Sequence, residues 1–386
     1  MSRLLTAIAA LLALATVAGL AILWPGDPEA QIGGGIAVDT ERAEVTEVVE
    51  TTCPGFAEQR CQNVTARLES GPDAGRRIQM QLGATGLDPD VDPGDAIKVA
   101  EAPEPPPGAP PVAGTGYTLV DFERGTPMLV LALIFVLAVL LFARLRGALS
   151  LLGLGISLAV VLVFVVPAIL DGEPPLAVAV VGSLAVALVT IPLAHGRGPK
   201  SLAAVLGTAA SLLLTALLAS VFTEAAHLTG FSSEEATFLQ VSGADLSLDG
   251  LLLAGMVIAA LGVLDDVTVS QASTVLALRG AAQELGFGEL FGRALRVGRD
   301  HVSATVNTLV LAYVGASLPV LLIFSSADIG LGDALNLEIV AKEVVATLVG
   351  SIGLIAAVPV TTALAALLAL REPPERLAAA EHGHAH

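Results

Sequence analysis

The sequence has few charged residues, and fewer basic than acidic ones. Only 15% of its 386 residues are charged, 54% are hydrophobic, and the net charge is −18. A chain of this length with so few charges is too apolar for one soluble core, which indicates a membrane protein. Proteins that bind nucleic acid need a basic face, so the acidic balance argues against a nucleic-acid partner.

Several catalytic and nucleotide-binding motifs are also absent. The sequence contains no Walker A motif, no Gly-x-Ser-x-Gly and no His-Glu-x-x-His. Gly330-Leu-Gly-Asp333 fits the Gly-x-Gly-Asp pattern of intramembrane aspartyl proteases, but no Tyr-Asp partner accompanies it. We therefore expect no enzyme activity, with an intramembrane hydrolase as the least favoured alternative, and no cofactor. Any transport would be passive or driven by a gradient.

The first 25 residues predict an N-terminal membrane anchor. Residues 4–23 carry no charge, and Trp24 follows at the expected membrane interface. A signal peptide normally has a shorter apolar region, of about 7–15 residues. Small residues near Ala18 leave a cleaved signal peptide as the alternative.

Residues 26–100 predict a small β domain. Apolar and polar residues alternate at 64–68 and 78–82 around a turn-rich connection, which is the pattern of a β-hairpin. Further strands are expected at 96–100 and 45–52. About five short strands in a segment of this length predict an OB-like barrel.

The β domain is expected outside the cytoplasm, followed by a proline-rich linker at 101–125. In an oxidising compartment Cys53 and Cys61, close in sequence, should form a disulfide. A redox-active dithiol is the less favoured alternative, because the Cys-x-x-Cys spacing is missing. Two cysteines are too few for a metal cluster.

A membrane domain is predicted at 126–371, followed by a cytoplasmic tail at 372–386. Seven apolar segments are long enough, or nearly so, to cross a bilayer core of about 30 Å. They are 127–143, 147–170, 174–194, 201–223, 249–275, 301–324 and 339–369. Arginine and lysine concentrate in alternate connections, so the positive-inside rule places both termini in the cytoplasm and gives eight spans with the anchor. Proline and glycine occur within the spans, but no internal repeat is evident.

Two of these segments carry unusual polar chemistry. Asp265 and Asp266 are adjacent in the middle of one span, where each carboxylate costs about 2.5–3.5 kcal/mol to insert. On a helix Asp266, Ser270 and Ser273 form one polar stripe, and Leu264 lies off it. Gln271 belongs to the same polar segment.

The following segment offers partners for these carboxylates. Asp300, His301 and Asn307 stand near its start, with Ser303, Thr305 and Thr308 between and after them. Crowded carboxylates at Asp265 and Asp266 can share a proton or a cation. Clustered oxygen ligands suit Na⁺, Mg²⁺ or Ca²⁺, and a His ligand would also suit Mn²⁺ or Zn²⁺. The alternative is a structural network that only holds two helices together.

The stretches Gly262–Ser273 and Gly298–Gly315 resemble the signature segments of the YibE/F family of bacterial multi-pass membrane proteins. The resemblance implies a polytopic protein of the bacterial plasma (inner) membrane, and it brings no catalytic residues with it.

These observations predict a secondary transporter or channel-like permease for an ion or small solute. Its candidate transport residues are Asp265, Asp266, Ser270, Gln271, Asp300, His301 and Asn307. The alternative is a non-catalytic membrane scaffold or export accessory protein whose β domain binds a partner. Besides the lipid bilayer, the expected partners are a second copy of the chain or another membrane protein.

Overall fold

A computed structural model describes residues 2–26, 39–53, 56–83, 89–102, 116–232, 234–241, 246–327 and 329–372. The chain divides into two compact units: Gly33–Phe142, and Met1–Ile32 together with Ala143–His386. Most of the predicted linker (103–115) and nearly all of the predicted tail (373–386) lie outside the described residues. The domain boundaries given above stay predictions.

The first unit is built on an antiparallel sheet. Its strands are β1 (Glu41–Cys53), β2 (Phe56–Leu68), β3 (Arg77–Leu82), β4 (Ala96–Glu101) and β5 (Tyr117–Phe122). Along β1 to β4, alternate side chains lie on the same face of the sheet and form an apolar core. Its most buried members include Val45, Val64, Ile78, Ile97 and Val99. The alternation in the sequence therefore predicts β2, β3 and β4 correctly, whereas β5 lies within the range predicted as linker.

The prediction of an OB-like barrel is wrong, because the sheet is open. Its strand order is β3-β2-β1-β4-β5, so β3 and β5 are edge strands. The long β1 pairs with β2 almost along its whole length but with β4 only at Glu41–Glu44. A closed barrel requires hydrogen bonds between its two edge strands. In the described residues β3 pairs only with β2, and β5 pairs only with β4; each edge strand has six residues.

A disulfide joins Cys53 to Cys61 at the turn between β1 and β2. Cys53 ends β1, and Cys61 lies opposite Thr51 in the ladder between the two strands. Both cysteines are buried, and the chain has no other. The bond therefore encloses only the turn of the hairpin.

The other unit is helical. Including a helix that continues from the first unit, the chain forms α1 (Ser2–Ile22), α2 (Gly125–Val160), α3 (Val166–Leu170), α4 (Pro175–His195), α5 (Pro199–Ala225), α6 (Glu234–Val241), α7 (Leu248–Ala281), α8 (Phe287–Ala316), α9 (Leu318–Ser326), α10 (Leu331–Asn336) and α11 (Glu338–Ala369). Val161–Val165 forms a π-helical turn between α2 and α3.

Within the described residues six helical stretches are long and apolar enough to cross a membrane, or seven if the bent pair α8 and α9 is one span. One stretch, Gly125–Leu170, contains two of the predicted spans. Its 46 residues would extend about 69 Å as a straight α-helix, more than twice the bilayer core. Arg144, with φ 52° and ψ −128°, breaks the helix between the two. The protein is therefore a polytopic membrane protein, and the count of eight spans stays a prediction.

The centre of the helical unit is formed by α4, α5, α7 and α11, whose buried residues make one large apolar cluster. Small residues bring α5 and α11 close together. A Cβ atom on Gly207 would overlap the hydroxyl of Thr361, and one on Gly353 would overlap the hydroxyl of Thr215. Such contacts let helix backbones approach closely in a membrane, where lipid provides no hydrophobic driving force between helices.

The same two helices are joined again beyond the end of α5. The carboxylate of Glu338, the first residue of α11, accepts hydrogen bonds from the backbone N–H of Thr229 at 2.9 Å and of Gly230 at 2.7 Å. It also accepts one from Thr229 Oγ1 at 2.8 Å. One carboxylate thus fixes the loop that follows α5 to the start of α11.

The N-terminal helix α1 packs against α4 in this unit. Gly19 meets the side chain of Val181, and the rings of Trp24 and Phe164 lie 5.9 Å apart. Just beyond the helix, the N–H of Gly26 donates to Asp171 Oδ2 at 2.9 Å. These contacts join α1 to the rest of its unit, and the retained anchor stays a prediction.

The disulfide yields the first testable prediction. Thiol labelling of the denatured protein without reductant should modify neither Cys53 nor Cys61, and labelling after reduction should modify both. Replacing both cysteines by serine should destabilise the β domain by about 2–3 kcal/mol, because the unfolded chain loses a short closed loop. Full labelling of both cysteines without reductant would contradict the disulfide.

Candidate functional site: a buried polar layer around α7

The helix α7 carries the predicted carboxylates and lies at the centre of its unit, in contact with α4, α5, α8 and α11. The residue before it, Ser247, is its N-cap, and the hydroxyl of Ser247 accepts a hydrogen bond from the N–H of Gly250 at 3.0 Å. Asp265 and Asp266 stand halfway along its 34 residues, about 25 Å from either end. The sequence thus places both carboxylates at mid-helix.

The two carboxylates have different surroundings. Asp266 is exposed, whereas Asp265 is half-buried. The Oδ1 atom of Asp265 is fully buried, and no hydrogen-bond partner for it exists among the described residues. A carboxylate oxygen removed from water without a donor is strongly unfavourable. Asp265 is therefore the position on α7 that most needs a proton or a cation.

The buried stripe of α7 is not the one that the sequence predicts. Leu264, Thr268, Gln271 and Val275 follow one another at helical spacing and are all buried. In contrast Ser270 is half-buried, and its hydroxyl donates to the carbonyl of Val267 in its own helix at 3.1 Å. Leu264 thus lies off the predicted stripe of Asp266 and Ser270, but it belongs to the buried one.

Gln271 connects three helices. Its Nε2 donates to the carbonyl oxygen of Ala294 on α8 at 2.9 Å and to Thr362 Oγ1 on α11 at 2.7 Å. Gly298 on α8 permits this approach, since a Cβ there would lie 2.8 Å from Gln271 Oε1 and 2.5 Å from Val358 Cγ1. The amide therefore fixes α7, α8 and α11 in one arrangement.

A second connection joins α7 to α5. The hydroxyls of Thr208 and Thr268 are hydrogen-bonded at 2.7 Å, and both residues are completely buried. Thr268 Oγ1 also lies 3.1 Å from the carbonyl oxygen of Asp265, as a donor to it. A continuous polar path therefore leads from the backbone of Asp265 through two hydroxyls into α5.

On α5 and α11, which both pack against α7, several buried hydroxyls have no hydrogen-bond partner within the described part of the chain. Ser211 on α5 and Thr361 and Ser351 on α11 belong to this group, and each is at least nine-tenths buried. Buried polar groups normally find partners, so a cluster of exceptions between membrane helices requires an explanation. We call the set Thr208, Ser211, Asp265, Thr268, Gln271, Thr361 and Thr362 the polar layer.

The predicted partners on α8 are not brought to Asp265 within one chain. Asp300, His301 and Asn307 lie on the exposed side of α8, and none of them is hydrogen-bonded or ion-paired to Asp265 or Asp266 in the described structure. The face of α8 that packs inward includes Ala294, Leu295, Gly298, Val302 and Val306. Nor do three His, Cys, Asp or Glu side chains gather anywhere among the described residues as metal ligands.

Sequence reasoning singled out Gln271 but missed its partners and the hydroxyls of α5. One signal was present: Thr208, Ser211 and Thr215 recur at helical spacing within an otherwise apolar span. The corresponding residues of α11 carry no such signal, because Thr361 and Thr362 are adjacent and only their neighbours decide which surface each one faces.

Comparison with known proteins gives one match. A family model described as YibE/F-like protein matches residues 131–371, which include α7, α8 and α11. No curated protein and no solved structure matches the chain.

The role of Gln271 can be tested through stability. Gln271→Leu keeps most of the volume but removes the hydrogen bonds to α8 and α11, each worth about 0.6 kcal/mol on average and up to about 1.7 in membrane proteins. We expect a loss of about 1–3 kcal/mol, measured by thermal unfolding in detergent. Thr274→Val is the matched control, because the hydroxyl of Thr274 bonds only within α7. Equal stability of the two variants would contradict the role given to Gln271.

Proposed function

Because the chain belongs to the YibE/F-like family and has several helices able to cross a membrane, we propose that it is a secondary transporter or channel-like permease. It acts on an ion or small solute, and a small cation fits best. Asp265 is the central binding group, Asp266 is its charged neighbour, and the hydroxyls of the polar layer are accessory ligands.

The observation that carries the proposal is the buried Oδ1 atom of Asp265, which lacks a donor within the described residues. Ionisable groups inside a membrane are costly, and they commonly mark the pathways of ions and protons. A cation bound at Asp265 would neutralise its charge and occupy the unpaired oxygen. The requirement is thus electrostatic, and it singles out a positively charged substrate or coupling ion.

The accessory ligands favour a hard cation. The polar layer offers the hydroxyls of Thr208, Ser211, Thr268 and Thr361, which are oxygen donors without net charge. A single carboxylate with neutral hydroxyl oxygens as further ligands would suit a monovalent ion such as Na⁺, or a proton carried by the carboxylate itself. Transition metals prefer nitrogen or sulfur ligands, which the layer does not contain.

One observation favours a second candidate, the non-catalytic scaffold. Around Gln271 the packing is dense: a single added Cβ on Gly298 would meet both Val358 and the amide. A scaffold needs only this rigid interface, with the polar layer serving as structural hydrogen bonds. Transport and scaffold functions differ in whether the charge of Asp265 matters.

The distribution of arginine and lysine supports eight spans in the bacterial plasma membrane, with both termini in the cytoplasm and the β domain outside. A reporter inserted after Ala113, which lies outside the described residues, should therefore be extracytoplasmic. A reporter after Lys200 should be cytoplasmic. Finding both reporters on the same side of the membrane would contradict this topology.

The charge of Asp265 provides the test between transport and scaffold. Asp265→Asn and Asp266→Asn keep the side-chain volume and remove one charge each. Both proteins should fold, because each change relieves an insertion cost of about 2.5–3.5 kcal/mol. In liposomes containing the purified protein, Asp265→Asn should reduce the uptake of H⁺ or Na⁺ to the level of empty liposomes. Asp266→Asn should weaken uptake less, because Asp266 is exposed.

The control must leave the buried stripe intact. Leu264→Ala is unsuitable, because Leu264 is only 1% exposed and its truncation would open a cavity beside Thr268. Gly262→Ala is suitable, since a Cβ on Gly262 would meet nothing within 4 Å. Uptake by Asp265→Asn equal to that of Gly262→Ala would leave the carboxylate a structural group and favour the scaffold.

A further inference from the structure

One exposed surface of the helical unit does not fit a lipid environment. Along α8 the residues Arg293, Arg296, Asp300, Ser303, Asn307, Val310 and Val314 are all exposed. Their spacing alternates between three and four residues, which places them on one side of the helix. We call these seven residues the α8 seam. It lies opposite the face that packs against α7 and α11.

The polar residues of the seam continue into the membrane. If the arginines mark the cytoplasmic end of the span, Asn307 stands about 12 Å farther along the helix than Arg299, within the hydrocarbon. Asn307 is exposed, whereas its neighbours Thr305 and Thr308 donate their hydroxyls to carbonyls of their own helix at 2.9 and 3.1 Å. An exposed amide at that depth needs a protein partner.

Among the described residues, few candidates could cover the seam. Residues 125–142, an apolar helical segment without buried residues, contain no polar side chain except Thr126. An apolar helix placed against Asn307 would leave the amide unpaired. The partner must therefore supply a hydrogen-bond donor and acceptor at the same depth.

We propose that the α8 seam is the interface with a second copy of this chain, in which the two α8 helices pack in parallel. The alternating spacing of three and four is that of a heptad repeat, which generates a left-handed pair of helices. In a parallel pair each residue of the seam meets its own counterpart. An amide has both a donor and an acceptor, so Asn307 pairs with Asn307 of the second copy.

The residues on either side of Asn307 fit the same arrangement. Val310 and Val314 give the pair an apolar contact deeper in the membrane, where both are exposed in the single chain. Toward the cytoplasm the two Asp300 carboxylates approach each other, and Arg296, four residues earlier on the same side of the helix, compensates their charge. A single polar residue in such a seam also fixes the register of the two helices.

Disulfide cross-linking in membranes tests the interface without reference to transport, so its outcome is separate from that of the proposed function. Both native cysteines are joined to each other, so an introduced cysteine is the only free thiol. Ser303→Cys, Asn307→Cys, Val310→Cys and Val314→Cys should each form a dimer on oxidation. Leu309→Cys is the matched control and should not, because Leu309 faces Gly350 of α11 within the same chain.

A second measurement follows association directly. In liposomes, energy transfer between differently labelled copies should reveal a dimer for the native chain. Asn307→Leu should weaken that association roughly 3- to 15-fold, the effect of losing one interhelical hydrogen bond. Asn307→Gln should retain most of it.

Three results would overturn the proposal. The first is equal cross-linking at Leu309 and at the seam positions. The second is complete modification of Asn307→Cys by a membrane-impermeant thiol reagent without dimer formation, which would make the seam a water-filled path. The third is a cross-linked product whose mass requires a different protein.

Discussion

Inside a bilayer, polar groups must find their partners within the protein, because no water is available to them. In the helical unit this constraint explains why Thr208 meets Thr268 and why Gln271 reaches the backbone of Ala294. It also explains the glycines at these contacts, since a side chain on Gly298 would prevent the amide from approaching. The packing of α5, α7, α8 and α11 is therefore governed by hydrogen bonds as much as by apolar contact.

The same constraint identifies the places where the single chain is incomplete. Asp265 has a buried oxygen without a donor, and Asn307 has an exposed amide at membrane depth. The first calls for a proton or a small positive charge, whereas the second stands in a regular seam and calls for another helix. The proposed cation site and the proposed dimer interface thus lie on different faces of adjacent helices.

The sequence predicts local structure well here and relationships between distant elements poorly. The alternation at 64–68 and 78–82 identifies β2 and β3, and hydropathy identifies the long helices. The sequence pattern does not reveal that the sheet stays open, because closure depends on how far the edge strands extend. Nor could it show which stripe of α7 is buried, since that depends on Thr362, which is 91 residues away from Gln271. Asp265 was found because a charge in an apolar span is visible without any partner.

The carboxylate of Glu338 has a consequence for motion. It ties the loop after α5 to the first residue of α11, the contacts of Gly207 and Gly353 hold α5 and α11 together along their length, and Gln271 and Thr362 join α7 to α11. Relative motion of these three helices would have to break these contacts. Because Gln271 also binds the backbone of Ala294 near the start of α8, a cycle that exposed Asp265 first to one side of the membrane and then to the other would most easily displace α9 and the part of α8 beyond this contact. The 60° bend between α8 and α9 at Ser317 would then serve as the hinge.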